Sequence, residues 1–291
     1  MKFGVREICD VVFKATAPVT LGTKTYAAGE PVLYIDTATT STLTGAATTV
    51  YAQGGQGNAR LLAWEGDKTL TFEVDDAMIS PLGMAMLSGA GLIDASVETP
   101  VNVHTAVTVA IPASGNTALT LKGSDLDLTA AQTVVFSTDA NTTIYGTVVD
   151  GAGAVVRSIG VGVIAASGLT GPAATTTVTF TTPSFTSSEK AVVLDFYVKK
   201  TTSVHELTIE AAKFAGYYYV EASTLFRDQN TGSDLPAEFI IPKAKIQSNF
   251  TFTMASTGNP STFKFTMDAF PAPTRFDSTK QVLAAIQIIE A

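Results

Sequence analysis

The stretch Arg60 to Leu92, RLLAWEGDKTLTFEVDDAMISPLGMAMLSGAGL, reads as strand, turn, strand and helix in one piece. Leu61, Leu62, Ala63 and the chain's only tryptophan, Trp64, run into Glu65-Gly66-Asp67, whose Gly and Asp predict a tight hairpin turn. Leu70, Phe72 and Val74 then alternate with Thr69, Thr71 and Glu73, the two-residue period of a half-buried strand. After that the period changes. Ser80 followed by Pro81 suits the start of a helix, because the Ser oxygen can satisfy an orphan N–H and proline has none to lose. Gly89 and Gly91 close it, which sets the helix at about 77–89. At about 100° per residue, Met78, Ile79, Leu82, Ala85 and Met86 form one broad stripe, with Met84 and Leu87 outside it. A short helix apolar almost all round must be covered on more than one side. It is either sunk in a core or laid between its own sheet and a neighbouring subunit.

Composition narrows the class. Hydrophobic residues make up 46% of the 291 and charged ones 15%, below the usual quarter or so, so the chain buries much of itself, internally or against copies of itself. The net charge is −8 and the pI about 4.8, which speaks against a sequence-independent grip on nucleic acid. An acidic surface near DNA repels phosphates, which is useful only where DNA must pass without sticking. One cysteine, Cys9, excludes an internal disulfide or a thiolate metal cluster and reads as a small buried apolar residue. The N-terminal MKFGVREICD lacks the apolar core of a signal peptide, and no window approaches 18 uninterrupted apolar residues. Folding in a cytoplasm, with no membrane partner, is the expectation.

Outward from the opening stretch, Phe3 to Phe13 suggests a first strand and Val32 to Ile35 a second. Asp36 to Asn58 changes character: no charge follows Asp36, and the segment is filled with Thr, Ala and Gly. It reads as a flexible surface loop or as a long hairpin that gains order on a partner; the missing charges favour the hairpin. From 101 to 203 short Val/Thr/Ala runs recur at 105–111, 117–121, 132–138, 142–149, 155–164, 174–181 and 191–198. Turns separate them at Ser114-Gly115-Asn116, Asp139-Ala140-Asn141, Asp150 to Gly153 and Gly168 to Pro172. About seven short strands at this spacing predict an Ig-like β-sandwich inserted into the first domain. From His205 the pattern of the first hundred residues resumes, with strands around Tyr217–Phe226 and Phe239–Pro242 and a polar tip at Arg227–Asp234. Alternating runs Phe250-Phe252-Met254 and Phe263-Phe265-Met267 follow, joined by Ser256 to Ser261. The fold class is therefore mainly β with one flanking helix, with 1–100 and 204–291 as one domain split by 101–203.

No constellation carries chemistry. His104 and His205 lie at the two junctions of the insert, without thiolates or carboxylates at ligand spacing beyond Glu206. Gly-x-Ser-x-Gly is absent, Asp75-Asp76 and Glu65/Asp67 lack a calcium-loop pattern, and Gly54 to Gly57 lacks the Lys-Ser/Thr of a phosphate loop. Tyr217 to Tyr219 has no basic stripe beside it for base stacking. The chain reads as no enzyme, with no cofactor and no metal.

Two segments, AWEGDKTLTFEVDDAMISPLGMAMLSGAG and GYYYVEASTLFRDQNTGSDLPAEFIIPKAKIQSNFTFTMASTGNPSTFKFTMDAF, resemble the tail tube protein of contractile-tailed bacteriophages. The resemblance covers roughly 1–100 and 205–291 and rests on the order and texture of segments. It implies a tail-tube-type β-sandwich or barrel that assembles as hexameric rings stacked into a hollow tube inside a sheath. DNA would pass through the tube during ejection, and sheath, baseplate and tail terminator proteins would be partners in the virion. It also implies an acidic lumen and a hairpin reaching from ring to ring, for which Thr37, Thr42, Leu43, Val50, Tyr51, Gly55 and Gly57 are the candidates. Deleting Thr37–Gly57 is then expected to leave a folded monomer that cannot stack. Subunit-interface candidates are Met78, Leu82, Met84, Met86 and Leu87 from the helix region, with Arg227, Asp228, Asp234, Lys243 and Lys245 as ion-pairing residues. The insert departs from a minimal tube subunit and is expected on the outside, since a hundred residues in the lumen would block it. The alternative is a virion decoration protein or adhesin working through 101–203.

Overall fold

The computed structural model describes residues 2–290 apart from 6, 90, 113–117, 138–143, 182–184, 187, 252–253, 255 and 257–260. The expected turns at Ser114-Gly115-Asn116 and Asp139-Ala140-Asn141, together with Phe252 and most of the Ser256–Ser261 connection, lie outside the described residues. The protein is mainly β, with one α-helix among the described residues. It divides into two compact units, Met1–Ile93 with Leu207–Ala291, and Asp94–Glu206.

The first unit is built on an antiparallel sheet ordered Pro31–Ile35, Asp10–Ala15, Tyr217–Asp228, Asp234–Ile246, Phe263–Ala269, Ala59–Asp76, Ala38–Gly54. Its alternating residues make one buried face. Val11 and Phe13, Phe72 and Val74, Val220 and Ala222, Phe263, Phe265 and Met267 all reach 2% exposure or less and join one core. Register keeps them together: Phe265 stands opposite Val74 and Met267 opposite Phe72. Each such side chain removed from water contributes about 1.5–3 kcal/mol, and a one-residue slip would turn the whole set outward.

Four sequence expectations change here. The opening strand is two: Phe3–Val5 pairs with Phe226–Asp228, and Asp10–Ala15 with Tyr218–Ser223, so the apolar residues change face at a break. Glu65-Gly66-Asp67 is no turn, because Ala59–Asp76 runs straight through it. The register jumps from Ala47↔Lys68 to Thr49↔Glu65, a bulge, and a Cβ on Gly66 would meet Thr48 Oγ1 at 2.5 Å. Glycine is needed there for space. Phe250 and Met254 lie outside any strand, Met254 being 92% exposed.

The helix, Pro81–Ser88, is the fourth. Ser80 caps it by accepting from Gly83 N at 2.9 Å, and Gly89 ends it at φ 67°. The buried set includes Met84 and Leu87, which the helical wheel leaves outside its stripe. Met84, Ala85, Met86 and Leu87 are 8%, 0%, 1% and 0% exposed, while Met78 and Ile79 precede the first turn at 66% and 43%. A helix of two turns sunk in its own core has little room for an outward stripe.

The second unit is a sheet ordered Ala118–Lys122, Thr175–Phe180, Val155–Ile164, Ile144–Val149, Ala191–Lys200, Thr133–Phe136, Gly168–Thr170, with Val101–Ala110 along Ala191–Lys200. Gly168–Thr170, expected as a turn, pairs as a short strand with Thr133–Val135. Leu119, Leu121, Val178, Val192, Leu194 and Phe196 fill a separate core at 1% exposure or less. At the Asp150 turn the carboxylate accepts from Ala152 N and Ala154 N at 2.8 and 2.9 Å. A nearly buried pair closes one side: Arg157 Nε and Nη2 donate to Glu189 at 2.5 and 3.1 Å, and Thr186 N donates to the same carboxylate at 2.8 Å. The Arg157 bonds hold the Glu189 carboxyl down at about 2, against the opposing pull of desolvation.

Candidate assembly surface

The feature that the first unit leaves unpacked is an arm. Ala38–Gly54 and Ala59–Asp76 form one long hairpin, closed by a turn in which Gly55, Gly57 and Asn58 take φ of 78°, 87° and 51°. Left-handed φ suits glycine and is tolerated by asparagine, which is why the tip reads GGQGN. The base belongs to the core: Ala38 is 6% exposed, Leu43 packs against the buried cluster opposite Phe72, and Thr37 Oγ1 donates to Asp76 at 2.5 Å. Past that point support ends. Every residue from 44 to 51 and from 55 to 69 is exposed. From Thr44 to the tip the arm extends about 33 Å at about 3.3 Å per residue.

Its two faces differ in chemistry. Val50 stands opposite Trp64 and Ala52 opposite Leu62, an apolar face with Val50 63%, Leu62 61% and Trp64 55% exposed. The other face carries Thr49 opposite Glu65 and Gln53 opposite Arg60, with the Arg60 guanidinium 4.1 Å over the Tyr51 ring. Leu61, at the register jump beside Gln53, is 65% exposed. A two-stranded ribbon with one bare apolar face is marginal alone and gains by being covered.

Of the sequence candidates, Thr42, Leu43, Val50, Tyr51, Gly55 and Gly57 fall on this hairpin and Thr37 at its root. Met84, Met86 and Leu87 have their side chains in their own unit's core, leaving Met78 and the half-buried Leu82 open to a neighbour. Arg227 and Asp234 bond each other across their own hairpin, Nε–Oδ1 and Nη2–Oδ2 both 2.6 Å. Each raises the other's preference for its charged form. Asp228 is buried and caps the tip, accepting from Asn230 N at 2.9 Å and Thr231 Oγ1 at 3.3 Å. Lys243 and Lys245 lie 4.8 and 5.1 Å from the Tyr217 ring centroid, and Lys245 also donates to Ala215 O. Leu61, Leu62 and Trp64, which read in sequence as an ordinary strand, are the residues the arm exposes. The signal was the unbroken LLAW run, apolar on both faces, opposite a strand without charge.

The histidines are held separately, His104 Nε2 3.0 Å from Asp195 and His205 Nδ1 2.6 Å from Asp94. Asp75 accepts from Thr40 Oγ1 at 2.5 Å, and Asp76 from Met78 N at 3.1 Å. Among the described residues no three His, Cys, Asp or Glu side chains converge as a metal site, and no helix is long and apolar enough to cross a membrane.

The model of the YomU/Tube protein family matches residues 12–284, nearly the whole chain. No curated protein matches it.

Proposed function

We propose that this chain, which belongs to the YomU/Tube protein family, is a structural subunit of a phage tail tube. In this reading hexameric rings stack into a hollow conduit for DNA inside a contractile sheath, with baseplate and terminator proteins at its ends. The observation that carries it is the arm: about 33 Å of hairpin without support from its own unit, bare and apolar on one face, on a chain whose family is named for a tube. A ring-to-ring contact would cover that face. The net charge of −8 suits a wall past which DNA slides without sticking. The role is mechanical, without catalysis. Asp94–Glu206 is assigned to the outside of the tube, where it leaves the conduit open. Negative-stain electron microscopy of the purified protein over a range of concentrations tests this. Rings and hollow tubes of constant diameter are expected; discrete caps or trimers would move the reading to a decoration protein working through Asp94–Glu206.

A further inference from the structure

The arm's bare apolar face calls for cover, and strand directions fix which end of the sheet lies away from it. Each neighbouring strand pair from Pro31–Ile35 to Ala38–Gly54 is antiparallel. Directions therefore alternate, and Asp10–Ala15 finishes at the end opposite to the one where Ala38–Gly54 finishes. At that opposite end lies a groove of about 550 Å³ whose floor is Ala15, Tyr219, Pro242 and Ala272 and whose cations are Lys243 and Arg275. Tyr219 is 5% exposed and forms the buried floor of the groove. Burial and the Glu221 carboxylate push that phenol's pKa up, with Arg275 pulling the other way. Arg275 lies 4.6 Å over the Tyr219 ring and donates to Gly29 O at 3.3 Å, while Lys243 lies over Tyr217; neither meets a carboxylate among the described residues. The arm offers the complement, an apolar face of Val50, Leu62 and Trp64, with the exposed Asp67 in the bulge opposite Thr48.

We propose that the groove between Ala15, Tyr219, Pro242 and Ala272 receives the arm of a second copy of this chain, with its Val50, Leu62 and Trp64 face on the groove floor and Lys243 and Arg275 facing Asp67. The inference rests on the stacking reading above. Arm and groove lie at opposite ends of one sheet, so the contact is heterologous and repeats head to tail, which yields an open stack instead of a closed dimer. Apolar cover supplies the affinity and the charges fix the register.

Cysteines placed at Leu62 and Ala272, in a Cys9→Ala background, test the seat directly. Oxidised tubes should run on a denaturing gel as a ladder of linked multimers. The control pair Leu62→Cys with Val5→Cys, whose second site is at the arm's own end of the sheet, should not. Tubes without a ladder from the groove pair would overturn the seat and leave the tube reading intact; failure of the unmodified chain to assemble at any concentration would overturn both. Charge reversal gives an independent check. Lys243→Glu should raise the concentration needed for tubes about tenfold, and adding Asp67→Lys should restore most of it. Equal assembly by all three proteins would count against the pairing.

Discussion

Trp64→Ala separates an assembly residue from a folding one. Trp64 is 55% exposed within its own unit. A tryptophan side chain presents about 150–250 Å², so roughly 80–140 Å² stays in water until a neighbour covers it. At about 25 cal/mol per Å² that cover contributes about 2–3.5 kcal/mol per contact. Removing the ring should therefore raise the critical concentration for tube growth about 30- to 300-fold. The monomer should hardly notice: a surface substitution of this kind stays within about 0.5 kcal/mol, or roughly 1–2 °C in Tm. Pelleting of tubes across a dilution series reads the first number and a thermal melt of the unassembled protein the second. A melt lowered by more than about 5 °C would show that Trp64 supports its own unit. An unchanged critical concentration would show that no neighbour covers it, and either result refutes the reasoning.

Three other expectations follow from particular contacts. Because Arg157 holds Glu189 at about 2, below the ordinary 4.5, the stability of that pair is complete above about pH 4.5 and lost as the pH falls toward 2. Glu189→Ala should cost about 3 kcal/mol at neutral pH and flatten that acid loss in pH-dependent melts; an unchanged acid profile would contradict it. Gly89→Ala puts a Cβ 2.3 Å from the Phe214 backbone at φ 67°, so a loss above about 3 kcal/mol, or no soluble protein, is expected in denaturant titration. Arg227→Ala breaks an exposed pair inside one hairpin, so it should lower stability by less than about 1 kcal/mol and leave tube yield by pelleting unchanged.

The class of the fold was legible because alternation is a local signal: Phe72/Val74 and Phe263/Phe265/Met267 can face a core in only one register. The failures were places where one residue serves two purposes. Gly66 looks like a turn from sequence because glycine permits one, but its role is to make room for Thr48, a neighbour 18 positions away. The alternating FTFTM at 250–254 looks like a strand, yet Phe250 packs against the core while Met254, which should share its face, is 92% exposed. The helix stripe was misplaced because an eight-residue helix apolar on all sides carries little phase information. For the arm, the uncharged texture of Asp36–Asn58 reads as a whole hairpin, but Ala38–Gly54 is one strand of it; the other, from Ala59, reads as an ordinary strand ending in a turn because its partner is not marked locally. The groove was illegible: Ala15, Tyr219, Pro242 and Ala272 come together only when the sheet forms.

The base of the hairpin is core, so removing Thr37–Gly57 would unfold what it should spare; Ala38 and Leu43 must stay. The decisive comparison is electron microscopy of the intact chain beside a variant in which Ala46–Thr69 is replaced by Asn-Gly, joining Gly45 to Leu70, which already stand opposite one another. The account predicts hollow tubes from the intact chain, and from the variant a folded protein with an unchanged melt that never stacks. Tubes of equal length from both proteins would contradict it.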